Sequence, residues 1–188
     1  MKATPSTALI PVPALEICIL AGGLSSRMGG DKARLRLDGR TLLARIRSVA
    51  AETRWPVRVI RRDLVPRCGP LGGVCTALRT TRAEAVLFLA CDMPFVTSEW
   101  IDKLVKFNRA KSRAVFTLSE SGAGFPFLLS RGALRQVEEQ IAAGRFSLQL
   151  LAAKCRALML RVPAGTRMVF NVNTPEEWNS ARDFPTVQ

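Results

Sequence analysis

Histidine and tyrosine are both absent from the 188 residues of this chain. Without an imidazole, Ser-His-Asp and Cys-His nucleophilic systems are excluded, as is any histidine general base. Aromatic residues make up 6% of the chain, which leaves few rings on which nucleic-acid bases can stack. Five cysteines (Cys18, Cys68, Cys75, Cys91, Cys155) are widely spaced and form no C-x-x-C pair. With no histidine beside them a structural zinc site is not expected, and an odd count argues against a disulfide framework. Most of them stand in apolar context and read as small inert hydrophobes. No apolar run approaches the roughly 18 residues that span a bilayer. Met1–Ala14 holds one lysine and three prolines but no continuous apolar stretch, so no signal peptide is expected. These absences predict a soluble, cytoplasmic protein that does its chemistry without imidazole.

What is present is a large apolar fraction, 48%, on a chain long enough for one domain with a substantial core. Lysine and arginine number 28 against 15 aspartates and glutamates, a formal net charge of +13. Such an excess attracts anions: a nucleotide, a phosphorylated substrate or nucleic acid. The basic residues are spread out, with short clusters at Arg34–Arg47 and Arg58–Arg62, and with so few aromatics a nucleic-acid role is disfavoured.

Apolar and amphipathic segments alternate with little filler. Strands are predicted over Glu16–Leu20, Pro56–Ile60, Ala85–Ala90, Ala114–Leu118, Phe125–Leu129, Ala157–Val162 and Met168–Val172. Helices are predicted over Thr41–Glu52, Gly72–Arg79, Thr97 or Ser98 to about Asn108, Ala133–Ala143 and Leu148–Ala153. A further helix begins at Thr174–Pro175–Glu176–Glu177, with threonine as its cap and proline at its first position. The run V-L-F-L-A within Ala85–Ala90 offers no polar face and reads as a central parallel strand. This βα alternation predicts an α/β fold: a single, doubly wound, mostly parallel sheet with helices on both faces. Residues 15–183 are expected to form that domain, with 1–14 and 184–188 as loose tails. Ligands of such sheets gather at the C-terminal ends of the strands.

Four motifs begin there. The first, I-C-I-L-A-G-G-L-S-S-R-M-G-G-D-K over Ile17–Lys32, empties a buried strand into a loop of four glycines. Glycine lets a backbone approach a ligand closely with its N–H groups turned inward, and Arg27 and Lys32 add the positive charge a triphosphate demands. It is neither a Walker A loop, because Ala33 follows Lys32, nor a G-x-G-x-x-G fingerprint. The second, C-D-M-P at Cys91–Pro94, puts Asp92 just past the apolar strand, as a hard oxygen ligand for Mg²⁺ or as a cap of the turn before Pro94. The third, C-G-P-L-G-G at Cys68–Gly73, is a tight turn before a helix, whose N–H groups suit a phosphate or a polar ring edge. The fourth, F-N-V-N-T-P-E-E at Phe170–Glu177, aims Asn171 and Asn173 to one side by strand alternation, toward a polar ligand or only in support of the helix cap.

The pattern L-A-G-G-x-S-x-R-M-G-x-D-K, with G-P-L-x-G and N-x-N-T-P behind it, resembles the molybdenum cofactor guanylyltransferase family, and these motifs are spread from Leu20 to Pro175. It implies a Rossmann-like nucleotidyltransferase fold and transfer of GMP from GTP to the phosphate of molybdenum-bearing molybdopterin, with release of pyrophosphate. By the same resemblance Leu20, Ala21, Gly22, Gly23, Lys32, Asp63 and Asp92 would meet the nucleotide, Asp63 through the N1–H and 2-amino donors of guanine. Arg27, Gly29, Gly73, Asn171 and Asn173 would meet the acceptor, and Lys32, Arg27 and Mg²⁺ on Asp92 would carry catalysis. Transient contact with enzymes that supply or receive the cofactor is implied too, and a membrane partner is not. A phosphate monoester has its second pKa near about 6, so it attacks already ionised and needs no general base. The chain departs from the family in two places. The segment Asp63–Arg67 is short and lacks a base-reading asparagine, which leaves a cytidylyltransferase using CTP, or a non-catalytic binding relative, as alternatives. Ser121–Phe127 lacks the more polar residues usual before that strand, which argues against acceptor contacts there.

Overall fold

Two apolar strands lie at the centre of the sheet because neither has a face that water could occupy. The computed structural model describes residues 14–22, 35–108 and 114–184. Strand β1 (Leu15–Leu20) pairs in parallel with β4 (Val57–Ile60) on one side and with β5 (Ala85–Ala90) on the other. Between them, β2 (Arg36–Leu37) and β3 (Arg40–Thr41) form a small antiparallel hairpin turning on Asp38 and Gly39, both at positive φ. Beyond β5 come β7 (Gly122–Ser130), β6 (Ala114–Ser119) and β8 (Leu158–Arg161), giving the order β4-β1-β5-β7-β6-β8. Only β7 runs against its neighbours, pairing antiparallel with both β5 and β6; the remaining pairs are parallel.

Side chains of β1 and β5 alternate between two cores. Cys18, Val86 and Phe88 face helices α2 (Pro70–Thr80), α4 (Leu134–Ala142) and α5 (Leu148–Lys154). Ile17, Ile19, Leu87 and Leu89 face α1 (Leu42–Ala51) and α3 (Ser98–Phe107). Helices therefore cover both faces, as the alternation predicts. Phe127 stacks on Phe116 at 4.5 Å and on Phe88 at 4.9 Å between centroids, which ties three adjacent strands through one core. Burial pushes the Cys18 thiol up to about 12, in keeping with an inert core residue.

The helix starts follow their caps. Thr41, Thr97 and Ser147 each accept a backbone N–H from the first turn of α1, α3 and α5. Thr174 and Glu177 complete a capping box at α6 (Pro175–Asp183). Helix α2 begins at Pro70, two residues before the expected start, because a proline at the first helical position forfeits no hydrogen bond. One predicted strand is corrected. Met168–Val172 is irregular: the Phe170 N–H bonds Arg167 O, the Val172 N–H bonds Asp92 O, and Asn171 Nδ2 donates to Val169 O. With its polar groups spent on a turn and on the β5 exit, the segment joins no ladder. Phe170 packs instead against Phe95 and Phe184.

Candidate active site

The exits of β4, β1 and β5 are laced together by main-chain bonds. The Ala21 N–H donates to Ile60 O at 2.8 Å and the Cys91 N–H to Leu20 O at 3.2 Å, extending the ladders one residue past the strands. The Val172 N–H donates to Asp92 O at 2.8 Å, which brings the fourth motif onto the end of β5. Gly22 leaves β1 so close to β4 that a Cβ there would lie 2.8 Å from Arg61 O. Only glycine fits, and its backbone is consequently pressed to the sheet edge. Gly23, Arg27, Gly29 and Lys32 lie outside the described residues.

Asp63 lies across the first turn of α2. A Cβ on Gly72 would fall 2.7 Å from Asp63 Oδ2 and 2.6 Å from Val65 O, and one on Gly73 would fall 3.3 Å from Asp63 Oδ1 and 3.0 Å from a Leu20 methyl. The glycine pair therefore admits both the carboxylate and the Leu20 side chain. Thr76 pins the loop from beneath: its hydroxyl accepts the Leu64 N–H at 2.8 Å and donates to Gly72 O at 2.8 Å. Burial holds the Asp63 carboxyl above its ordinary pKa. The expected phosphate contact at this turn does not fit the arrangement. Pro70 has no N–H, the Leu71 and Gly72 N–H groups bond Cys68 O and Gly69 O, and Asp63 already brings negative charge to this helix end. What the turn presents is the Asp63 carboxylate, a hydrogen-bond acceptor. Gly73 stands with Leu20 and Asp63 on this side, buried, away from the cavity described next.

Asp92 is half-buried at the β5 exit, with Oδ1 enclosed by protein. On one side the Cys91–Leu20 bond joins it to β1; on the other the Val172 bond joins it to the asparagine segment. Past it opens a cavity of about 390 Å³, reached from β5 by Met93 and from α2 by Pro70. Asn171 is exposed and lines this cavity, Val172 beside it is wholly buried, and Asn173 is half-buried. Alternation thus survives without a strand, but only Asn171 reaches the cavity wall. The Asn173 N–H is instead accepted by Glu177 Oε2 at 2.5 Å, within the α6 cap. The far wall is built by Ser121–Phe125 of the β6–β7 hairpin and by Ser147 and Gln149 at the start of α5. These residues were missed as site residues. The Ser121–Phe127 segment, read as unsuited to the acceptor, contributes its turn to the wall.

Parallel strands, with Gly22 at one exit and carboxylates past the next two, define the chain as an α/β nucleotidyltransferase fold. The same architecture occurs in molybdopterin-guanine dinucleotide biosynthesis protein A from Archaeoglobus fulgidus, with a TM-score of 0.70 and 20% identity over 89% of this chain and 96% of that one. The sequence matches the family model of the MobA-like NTP transferase domain over residues 17–63 and 47–157, and the chain belongs to that family. It is 34% identical to a protein of Opitutus terrae named "Probable molybdenum cofactor guanylyltransferase", over 90% of this chain and 95% of that one. It is also 31% identical to the "Molybdenum cofactor guanylyltransferase" of Pseudomonas putida, over 88% and 96% respectively.

Proposed function

We propose that this protein transfers GMP from GTP to the phosphate of molybdenum-bearing molybdopterin, releasing pyrophosphate and forming the guanine dinucleotide of the cofactor. The observation that carries the reading is the position of Asp92, tied by backbone on one side to the β1 exit and on the other to the segment bearing Asn171. Relatives named for this activity match nearly the whole length of the chain.

On the nucleotide side, Leu20, Ala21 and Gly22 offer backbone at the sheet edge. Asp63, held against Gly72 and Gly73, accepts the N1–H and 2-amino hydrogens of guanine, a pair of donors that cytosine lacks. Lys32 and Arg27 supply positive charge to the phosphates, as their loop chemistry suggests. A single carboxylate at the strand ends would suit a magnesium ion that takes most of its ligands from substrate and water. No group of three or more metal-ligating side chains occurs among the described residues, and Asp92 offers one hard oxygen beside the strand ends. Held by Asp92 and the triphosphate, such an ion would neutralise charge on the transferring phosphoryl group. The acceptor phosphate arrives ionised, so the chain's task is alignment: Asn171 and the cavity hold the acceptor while the β1 and β4 exits hold the nucleotide.

The test is pyrophosphate release with molybdopterin supplied, comparing GTP with CTP. Release with GTP and little with CTP is expected, and Asp92→Asn should reduce it at least a hundredfold while the protein remains folded. Equal or better turnover with CTP would overturn the choice of base. Full activity of Asp92→Asn would remove Asp92 from the reaction.

A further inference from the structure

The cavity beyond Asp92 carries a polar device that the acceptor assignment so far leaves unused. Gln149 lies over the β6–β7 turn: a Cβ on Gly122, which sits at φ +100°, would fall 3.3 Å from its Cγ and 3.6 Å from its Nε2. Its orientation is set by Ser147. The Ser147 hydroxyl accepts the capping N–H of Leu150 at 3.4 Å and gives its single proton to Gln149 Oε1 at 2.6 Å. With Oε1 taking the one proton of the Ser147 hydroxyl, both Nε2 hydrogens are left over. Ser147 is in turn anchored by the buried Gln140, whose Nε2 donates to Ser147 O at 2.7 Å. Among the described residues no other hydrogen bond engages the Gln149 amide. Both Gln149 and Gly122 line the cavity.

A donor oriented in this way selects a ligand by an acceptor atom. We propose that Gln149 is a specificity-determining residue that donates from Nε2 to a ring carbonyl or ring nitrogen of the acceptor's heterocycle. The inference rests on the acceptor being a pterin, as the proposed function has it. A flat bicyclic ring fits within about 390 Å³ and presents such acceptors along its edge. Ser147 and Gln140 act through Gln149 and are positioning residues. The recognition is separate from the nucleotide side, where Asp63 accepts hydrogen bonds.

The test uses the full chain and a fluorescent free pterin, titrated by fluorescence, with GTP affinity measured in parallel. Gln149 is exposed, so Gln149→Leu and Gln149→Glu should leave the melting temperature unchanged. Both should weaken pterin binding roughly tenfold, the worth of one well-placed hydrogen bond, with GTP affinity intact. With molybdopterin as acceptor, the acceptor KM should rise by a similar factor and kcat should change little. Ser147→Ala should give a smaller loss of the same kind, because the amide is then free to turn. Unchanged pterin affinity in both Gln149 variants overturns the proposal, as does failure of the wild-type chain to bind the pterin. A wild-type chain that binds pterin through Gln149 yet releases no pyrophosphate overturns the transfer reaction and leaves this inference standing.

Discussion

Asp63→Asn isolates how the base is read. Two carboxylate oxygens can accept both donor hydrogens of guanine, whereas an asparagine presents one acceptor oxygen and sets an NH₂ against the second donor. Losing one hydrogen bond to a charged acceptor costs about 1.5–3 kcal/mol, or roughly 10- to 150-fold in GTP affinity. The structure favours a value within that range over a smaller one. Thr76 fixes the loop, and Gly72 and Gly73 crowd the carboxylate, so the side chain has little room to turn and compensate. Calorimetric titration with GTP and CTP should therefore show the GTP preference collapsing while CTP affinity barely moves. A pH series adds an independent check. Burial raises the Asp63 pKa, so as pH falls this carboxylate takes up its proton ahead of ordinary aspartates. Protonation replaces an acceptor by a donor, and wild-type GTP affinity should fall on the acid side with a limb that Asp63→Asn lacks. The linkage to stability has the opposite sign. A carboxyl whose folded pKa is raised contributes stability at low pH that is lost as pH rises through that value. The asparagine variant should hence be no less stable than wild type at pH 7. Unchanged GTP affinity together with an unchanged GTP/CTP ratio would refute the role given to Asp63.

Two further perturbations bear on the scaffold. Gly22→Ala forces a methyl to within 2.8 Å of Arg61 O, a backbone atom that cannot swing away. Overpacking of this kind costs about 1–3 kcal/mol, a fall of roughly 2–12 °C in melting temperature by thermal denaturation, accompanied by a higher KM for GTP. A melting temperature within a degree of wild type would mean that the strand exits separate freely. Thr174→Ala removes one half of the α6 capping box and should cost about 1 kcal/mol, seen as a melting temperature lower by roughly 2–4 °C. Because the α6 cap holds Asn173 through its backbone N–H, pyrophosphate release should change less than twofold at 25 °C.

The central strands and the helix starts were legible in the chain because each is written locally. The unbroken apolar run of Ala85–Ala90 has no place except between two covered faces, and Thr41, Thr97 and Thr174 mark helix entries by their own hydrogen bonds. The reversed direction of β7 was not legible, since pairing partners are set by the sheet as a whole. Met168–Val172 has strand composition, but its backbone N–H groups at Phe170 and Val172 donate to Arg167 O and Asp92 O, and the Asn171 side chain takes Val169 O, instead of a neighbouring strand. The same division holds at the site. Short motifs single out Asp92 and Asn171, which the structure sets at the β5 exit and on the cavity wall, whereas Ser147 and Gln149 carry no motif. They matter only because the β6–β7 turn comes back beneath them, at a glycine with a φ that other residues avoid.

The bond from Val172 to Asp92 O joins peptide group to peptide group, and no side chain takes part in it. Short of proline at position 172, substitution leaves that joint in place. Asp63 is held in the loop that Thr76 pins, and Gln149 in the first turn of α5. If the proposed roles hold, base preference and acceptor preference rest on separate groups joined through backbone, and a side-chain change on one side need not misalign the other.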